Sequence, residues 1–297
     1  MDPILRMNVQ KLKRVVPRAL WPYLGDVRRW VRTIPPRPQL HKRRLLSDAS
    51  LSAAERELLS KVSGKIYYRD RMYDSDGADY FEIGLRAIHS INAALAQANL
   101  TDVRTILDLP SGGGRVLRFL SARFPEAKIT ACDIQRDAVD FCGEHLRAQP
   151  VYSSANLNEV SLDTKFDLIW CGSLVTHFNQ GPMVDLLEFF KRHLKVGSLL
   201  VFTTHGDYVA ARLPRKEFDY GLDDEQLPAL IDGYERNGFG FAPYPKGRYE
   251  STSEFGVSLM SPEWMDGQVR MVGGMRKAYF ATRGWDDHQD VFGFVRE

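Results

Sequence analysis

Ile106-Leu107-Asp108-Leu109-Pro110-Ser111-Gly112-Gly113-Gly114-Arg115-Val116-Leu117 reads as a short apolar strand, a glycine loop and the start of a helix. Glycines let a backbone run close to a ligand, and the free amides of a helix start face it. A glycine loop alone fits many turns, so its spacing matters. A dinucleotide fingerprint needs G-x-G-x-x-G, and Leu117 stands where the last glycine would be. Hydride-transfer enzymes are therefore disfavoured.

Outward from the loop, short apolar runs alternate with amphipathic ones. Strands are expected at 105–109, 128–132, 151–152, 166–171 and 198–204, and helices at 115–123, 136–147 and 182–195. That rhythm predicts βαβ units and a parallel sheet covered on both faces. Upstream, Ser52-Ala53-Ala54-Glu55 has capping-box spacing, and Phe81, Leu85, Ile88, Ile91, Ala94 and Leu95 form the apolar stripe of a further helix. Downstream, 206–260 is rich in Gly, Pro, Tyr and charge and reads as an inserted lid or substrate segment. A helix near 262–272, a strand near 277–283, a turn at Trp285-Asp286-Asp287-His288 and a last strand at 290–296 close the chain. The second strand ends at Asp133, twenty-one residues after Gly112. A carboxylate there can accept both hydroxyl protons of an adenosine ribose. The alternative is a helix-capping Asp.

The 297 residues are 44% hydrophobic and 26% charged, as in an ordinary globular protein. Forty basic and 38 acidic side chains leave a net charge of +2, which excludes a uniformly basic nucleic-acid binder. No apolar run approaches the roughly 18 residues of a membrane span, and the opening Met1-Asp2-Pro3-Ile4-Leu5-Arg6 lacks the order of a secretory signal. Cys132, Cys142 and Cys171 are an odd number without CxxC spacing, which argues against a disulfide framework and a structural zinc and for a reducing, cytoplasmic setting. The near-neutral total hides an asymmetry. Residues 1–50 carry twelve basic side chains and three acids, with Trp21, Tyr23 and Trp30 among them. This is the composition of a solvated basic arm; peripheral contact of residues 1–40 with an anionic membrane surface, at its inner face, is the alternative. The expected organisation is a basic arm (1–50), a helical lid or extension (51–100) and a main α/β domain (101–297) interrupted at about 206–260.

As a set, the motifs resemble those of the class I S-adenosylmethionine-dependent methyltransferases. Beside Leu-Asp-Leu-x-x-Gly-x-Gly and the acidic end of the second strand stand Phe166-Asp167-Leu168-Ile169-Trp170-Cys171-Gly172-Ser173-Leu174 and His193-Leu194-Lys195-Val196-Gly197-Ser198-Leu199-Leu200-Val201. The resemblance is close over about 80–205 and looser at the C-terminal end. It implies a Rossmann-like, doubly wound, mostly parallel seven-stranded sheet whose last strand is antiparallel, with S-adenosyl-L-methionine as cofactor. By position, Ser111, Gly112, Gly113 and Gly114 would pass under the methionine part, and Asp108 would help hold its amino group through the loop. Asp133 would bind the ribose with Ile134 beside it, Asn156 and Leu157 would meet adenine, and Gly172 and Ser173 the methionine moiety. Pro110 departs from the pattern by replacing its first glycine. Thr176-His177, Thr203-Thr204-His205-Gly206 and His288-Gln289-Asp290-Val291 resemble a bacterial subgroup found beside glycan-assembly enzymes.

Methyl transfer from a sulfonium is largely a problem of alignment. An alcohol acceptor also needs a base, most often a histidine. His205, directly after the fifth strand, is the favoured base; His177 is the second choice or a pocket wall, and His288 reads as a local turn residue. A rate governed by such a base would rise through a pKa near ~6.5. The Tyr67–Tyr73 segment would close over the cofactor, with Arg71 gripping a carboxylate, or else simply pack on the next helix. No metal-ligand spacing is present. These residues favour O-methylation of a sugar, glycan or other small polar molecule; an N- or C-directed methyltransferase and a non-catalytic nucleoside-binding relative are the alternatives.

Overall fold

The computed structural model describes residues 33, 37–73, 77–218, 220–223, 225–245 and 253–297. Of the basic arm, only Thr33 and the residues from Arg37 onward fall within it, so most of the span 1–40, for which membrane contact is the alternative reading, lies outside the described residues.

The sheet is built around β1 (Thr105–Asp108), a short run of β-branched and apolar residues. It pairs in parallel with β2 (Lys128–Asp133) on one side, Thr105 opposite Lys128, and with β4 (Phe166–Cys171) on the other, Ile106 opposite Leu168. With β3 (Ala148–Tyr152), β5 (Leu194–His205), β8 (Met275–Trp285) and β9 (Gln289–Arg296), the seven-stranded order is β3-β2-β1-β4-β5-β9-β8. β9, the last strand in the chain, runs antiparallel to both neighbours, with Gln289 opposite His205. The order reverses between β1 and β4, which opens a crevice at the strands' carboxyl ends.

Alternation along each strand sends side chains to opposite faces. Ile106, Leu168, Trp170, Leu199 and Val201 join one core cluster, Leu107, Ile169, Cys171, Leu200 and Phe202 the other. The first face is covered by α1 (Arg37–Leu46), α2 (Ala53–Lys61), α3 (Ala78–Gln97), α4 (Leu117–Arg123) and α5 (Arg136–Leu146); the second by α6 (Gln180–His193) and a C-terminal helix described below. Each such buried aliphatic or aromatic side chain contributes about 1.5–3 kcal/mol, so these two layers hold the fold.

The expected capping box is formed: the Glu55 amide donates to Ser52 Oγ at 3.2 Å and the Ser52 amide to Glu55 Oε2 at 2.6 Å. α1, which charge counting assigned to the arm, is part of the packed extension. Lys42 Nζ donates to the Ser60 and Val62 carbonyls at 3.0 and 2.7 Å, and Tyr73 Oη lies 2.7 Å from His41 Nδ1.

The insertion has regular structure. α7 (Asp207–Ala210), α8 (Gln226–Asn237) and the antiparallel pair β6 (Phe239–Pro243) and β7 (Gly256–Met260) enclose their own cluster of Val209, Leu213, Leu230, Tyr234, Ala242, Val257 and Leu259. It meets the main domain where Ser258 Oγ donates to the Val175 carbonyl, in the short turn after β4, at 3.1 Å. α9 (Pro262–Val272) follows and packs on the second face through Met265 and Val269.

Gly84 in α3 tests the close packing of the first face. A Cβ there would lie 2.3 Å from Phe119 Cε2 and 2.9 Å from the Arg115 carbonyl oxygen. Alanine gains up to about 1 kcal/mol of helix propensity, whereas overpacking costs typically 1–3 kcal/mol. Gly84→Ala is therefore expected to be net destabilising in urea unfolding; a higher midpoint would show that α3 and α4 separate easily.

Candidate active site

The glycine loop lies where the strand order reverses. After β1 the Leu109–Pro110 peptide is cis, and the Ser111 amide donates to the Cys132 carbonyl at 3.0 Å, tying the loop to β2. Gly112 and Gly114 have φ of +47° and +80°, a region that favours glycine. Their surroundings differ. A Cβ on Gly114 would lie 2.3 Å from Leu146 Cδ1, whereas one on Gly112 would meet nothing within 4 Å. Gly114 thus serves packing, and Gly112 borders open space.

Two carboxylates stand at the ends of β1 and β2 beside the loop, Asp108 and Asp133. Asp133 accepts the Gly112 and Gln135 amides at 2.8 and 2.9 Å. Burial raises its pKa, and these amides oppose the rise. Asp108 is 1% exposed, and neither of its carboxyl oxygens has a hydrogen-bond partner. Burial, and then the charge of Asp133, push its pKa well above the usual carboxylate range. The buried Ser111 hydroxyl is also without a partner.

The loop is clamped from below by Arg118, also 1% exposed. Its Nε donates to the Gly114 carbonyl at 2.8 Å and its Nη2 to that of Gly113 at 3.1 Å; Nη1 reaches the Ser63 and Lys65 carbonyls. Nη2 also donates to Tyr80 Oη at 3.2 Å, which in turn donates to Asp70 Oδ2 at 2.7 Å. In the Tyr67–Tyr73 segment it is thus Asp70 that turns inward, against Gly113, while Arg71 is exposed. Tyr67 packs against Tyr68 and Phe141.

At the far lip, the Ser173 amide donates to Thr203 Oγ1 at 2.8 Å, Thr203 Oγ1 donates to Gln289 Oε1 at 2.6 Å, and Gln289 Nε2 donates to Ser173 Oγ at 3.2 Å. This ring ties the ends of β4, β5 and β9 together. Gly172 lies between Trp170 and Trp285, each 3.0 Å from a Cβ built on it. On the near side, Ile134 is 60% exposed. Asn156 is exposed and caps a short 3-10 turn, accepting from the Asn158 amide at 3.1 Å, while Leu157 packs on the second core cluster.

The histidines gather under the insertion. His205 is 1% exposed; Tyr220 Oη lies 3.2 Å from its Nε2 and the His288 ring 5.8 Å away. Burial, then the charges of His177 and His288, lower its pKa well below the ordinary value, and the Ser258 backbone opposes this. The pKa near 6.5 expected from sequence is therefore corrected downward. His177 Nδ1 lies 2.8 Å from Tyr244 Oη and 3.0 Å from the Gly256 carbonyl, and burial lowers its pKa too. His288 has the turn contact expected of it, Nδ1 to the Asp286 carbonyl at 2.5 Å, but its ring also packs on Phe218 at 5.3 Å and reaches His205. No group of three His, Cys, Asp or Glu suited to a metal occurs among the described residues.

Sequence reading missed Arg118, Asp70, Tyr80, Gln289 and the two insertion tyrosines. Gln289, beside His288 in a noted motif, and Asp70, inside the noted Tyr67–Tyr73 segment, carried some signal.

Residues 107–200 match a family model described as a methyltransferase domain. The chain is 29% identical over 110 residues to a malonyl-[acyl-carrier protein] O-methyltransferase of Acetivibrio thermocellus, covering 36% of this chain and 38% of that protein. A protein of the same description from Anoxybacillus flavithermus is 27% identical over 125 residues, covering 42% and 47%. The matches thus span less than half the length of these curated relatives. Among solved structures, an S-adenosylmethionine-dependent methyltransferase from Clostridium acetobutylicum superposes with a TM-score of 0.50 at 14% identity, over 71% of this chain and 91% of that one. A sugar N-methyltransferase from Streptoalloteichus gives 0.50 at 18%, over 77% and 91%. At these identities the likeness is one of fold. It bears out the class I architecture, and the match over 107–200 bears out the resemblance to a methyltransferase domain.

Asp108 provides a ligand-free test. Its folded pKa stands above its unfolded value, so its contribution favours folding below the unfolded pKa and is lost as pH rises through the folded one. Asp108→Asn removes that loss. The variant is expected to have a higher Tm than the parent at pH 8, by on the order of 2–4 °C per kcal/mol regained, and a smaller advantage at pH 4. Equal Tm differences at both pH values would show that the carboxylate is not buried without a partner.

Proposed function

We propose that the protein transfers the methyl group of S-adenosylmethionine to an oxygen of a small polar acceptor, with a sugar or glycan hydroxyl as the favoured class. The observation that carries this reading is that two unlike sets of groups stand at the carboxyl ends of strands in one sheet, Asp108 and Asp133 on β1 and β2 and His205 on β5. The first set includes orphaned Asp108, with the open space over Gly112; the second is His205, kept neutral by burial.

The residues fit the cofactor. Asp108, with no partner, suits a cationic amine. Asp133 keeps lone pairs for a ribose diol beyond the two amides it already accepts. Gly112 leaves room for the chain between them. Bound there, the cofactor supplies a methyl group on an already activated sulfonium, so the protein's task is alignment and removal of one proton.

The ring of Ser173, Thr203 and Gln289 fixes the lip on which His205 stands. His205 Nε2 takes the acceptor's proton, either after Tyr220 swings aside or through its hydroxyl, which now occupies the hydrogen-bond position. The parallel rings of Phe218 and Tyr220, 5.9 Å apart, offer an apolar face beside it, which suits the C–H face of a sugar ring. The near-complete burial of His205 favours a second reading, an N- or C-directed transfer that needs no strong base.

The test is a labelled-methyl assay against candidate glycans with single-turnover kinetics. His205→Ala is expected to lower the rate by about 10²–10⁴ with little change in cofactor Kd. The parent's rate should be level through neutral pH and fall only well below the ordinary histidine range, because the base is neutral above its lowered pKa. His177→Ala should disturb acceptor binding as much as rate. Asp133→Ala should weaken the cofactor by roughly 10–100-fold. A His205→Ala enzyme with the parent's rate and pH profile would remove the base assignment and leave the base-free reading.

A further inference from the structure

Arg115 directly follows the last glycine of the loop and is half-buried. Its guanidinium lies over the Trp285 ring, 5.3 Å from the centroid. Among the described residues it makes no hydrogen bond or ion pair. Other half-buried arginines behave otherwise: Arg56 and Arg296 donate to carbonyls, and Arg86 and Arg212 pair with carboxylates. A guanidinium partly withdrawn from water and held flat on an aromatic ring, with its donors unused, is preorganised for a planar oxyanion.

Its neighbours point the same way. The Trp285 ring edge lies 3.0 Å from a Cβ built on Gly172, at the end of β4. Trp285 also opens the turn carrying Asp286 and His288, and the His288 ring is 5.8 Å from that of His205. Arg115 therefore rests on a tryptophan that connects the end of the glycine loop to the turn carrying His288, whose amide donates to the Trp285 carbonyl at 3.4 Å. Among the nearby acids, Asp287 is paired with Arg86, and Asp286 stands 3.9 Å from His288 Nδ1 without bonding Arg115.

We propose that Arg115, shelved on Trp285, recognises a carboxylate or phosphate carried by the acceptor. This rests on the methyltransferase reading and narrows its substrate class to anionic molecules. The cofactor's own carboxylate has the same chemistry; the direction of the Arg115–Trp285–His288–His205 path assigns the contact to the acceptor.

The experiment titrates malonate and methyl phosphate into protein saturated with S-adenosylhomocysteine, followed by calorimetry, for the parent, Arg115→Gln and Arg115→Lys. The expected result is binding of at least one of the two anions to the parent, at least ten-fold weaker binding to Arg115→Gln, and partial recovery in Arg115→Lys. S-adenosylhomocysteine affinity should stay within two-fold throughout. Which anion binds separates a carboxylate site from a phosphate site. Equal binding by parent and Arg115→Gln, or no binding by the parent, would overturn the proposal. So would a ten-fold loss of S-adenosylhomocysteine affinity in Arg115→Gln with methylthioadenosine affinity unchanged, since that pattern gives Arg115 to the cofactor's carboxylate. Failure of the methyltransferase reading shows separately, as a parent protein that takes up no S-adenosylhomocysteine. The anions are then titrated into the free protein, where an Arg115→Gln response equal to the parent's overturns the assignment.

Discussion

A buried guanidinium, that of Arg118, carries the organisation of the site. Its donors run to four backbone carbonyls, at Ser63, Lys65, Gly113 and Gly114, and to the Tyr80 hydroxyl, which passes the contact on to Asp70. A charge held this deeply is tolerable only when its hydrogen-bonding capacity is filled. Filling it requires the glycine loop and the chain before α3 to hold their positions together. The helical extension is therefore a structural part of the crevice's floor. Its inward Asp70 touches Gly113, so the loop is supported on both sides by groups remote in sequence.

The two sides of the crevice differ in electrical character. Asp108 and Asp133 sit close enough to raise the pKa of the former, and burial raises both. Across the gap, burial lowers the pKa of His205 and His177. In each set the free protein disfavours charge, and a ligand of suitable sign would relieve that. The tie among Ser173, Thr203 and Gln289 fixes the histidine side, because it joins the segment after β4 to β5 and β9, which are hydrogen-bonded along their length.

Features that depend on local patterning were legible in the sequence. The loop after β1, Asp133 at the end of β2, the capping box at Ser52 and the last helix and strands all follow from propensity and period, which act within a few residues. Features that depend on distant packing were not. Arg118 reads as an ordinary helix residue until the chain at 63–65 folds over it. In the segment from Tyr67 to Tyr73 the charged side chain that turns inward, beside buried Tyr67 and Tyr73, is Asp70, held by Tyr80 against Gly113. His288 makes the local contact its turn predicts, yet only tertiary structure brings its ring to His205. The glycines, prolines, tyrosines and charges of 206–260 suggest an inserted lid or substrate segment and give no hint of its internal order. At Gly240, however, a Cβ would fall 1.9 Å from the Leu230 carbonyl oxygen. That glycine lets helix α8 lie directly on strand β6, which is a packing demand inside a small ordered unit.

That unit has its own hydrophobic cluster, and it supplies a tyrosine to each of two histidines, Tyr220 at buried His205 and Tyr244 at half-buried His177. The glycine loop, its two carboxylates and the arginine clamp all belong to other parts of the chain. Sequence can therefore drift within 206–260 while the loop stays unaltered, since each half answers to its own core. The fold behaves as a chassis with an exchangeable cover: lineages, or engineers, could swap the cover over the histidines and leave the opposite wall of the crevice as it stands.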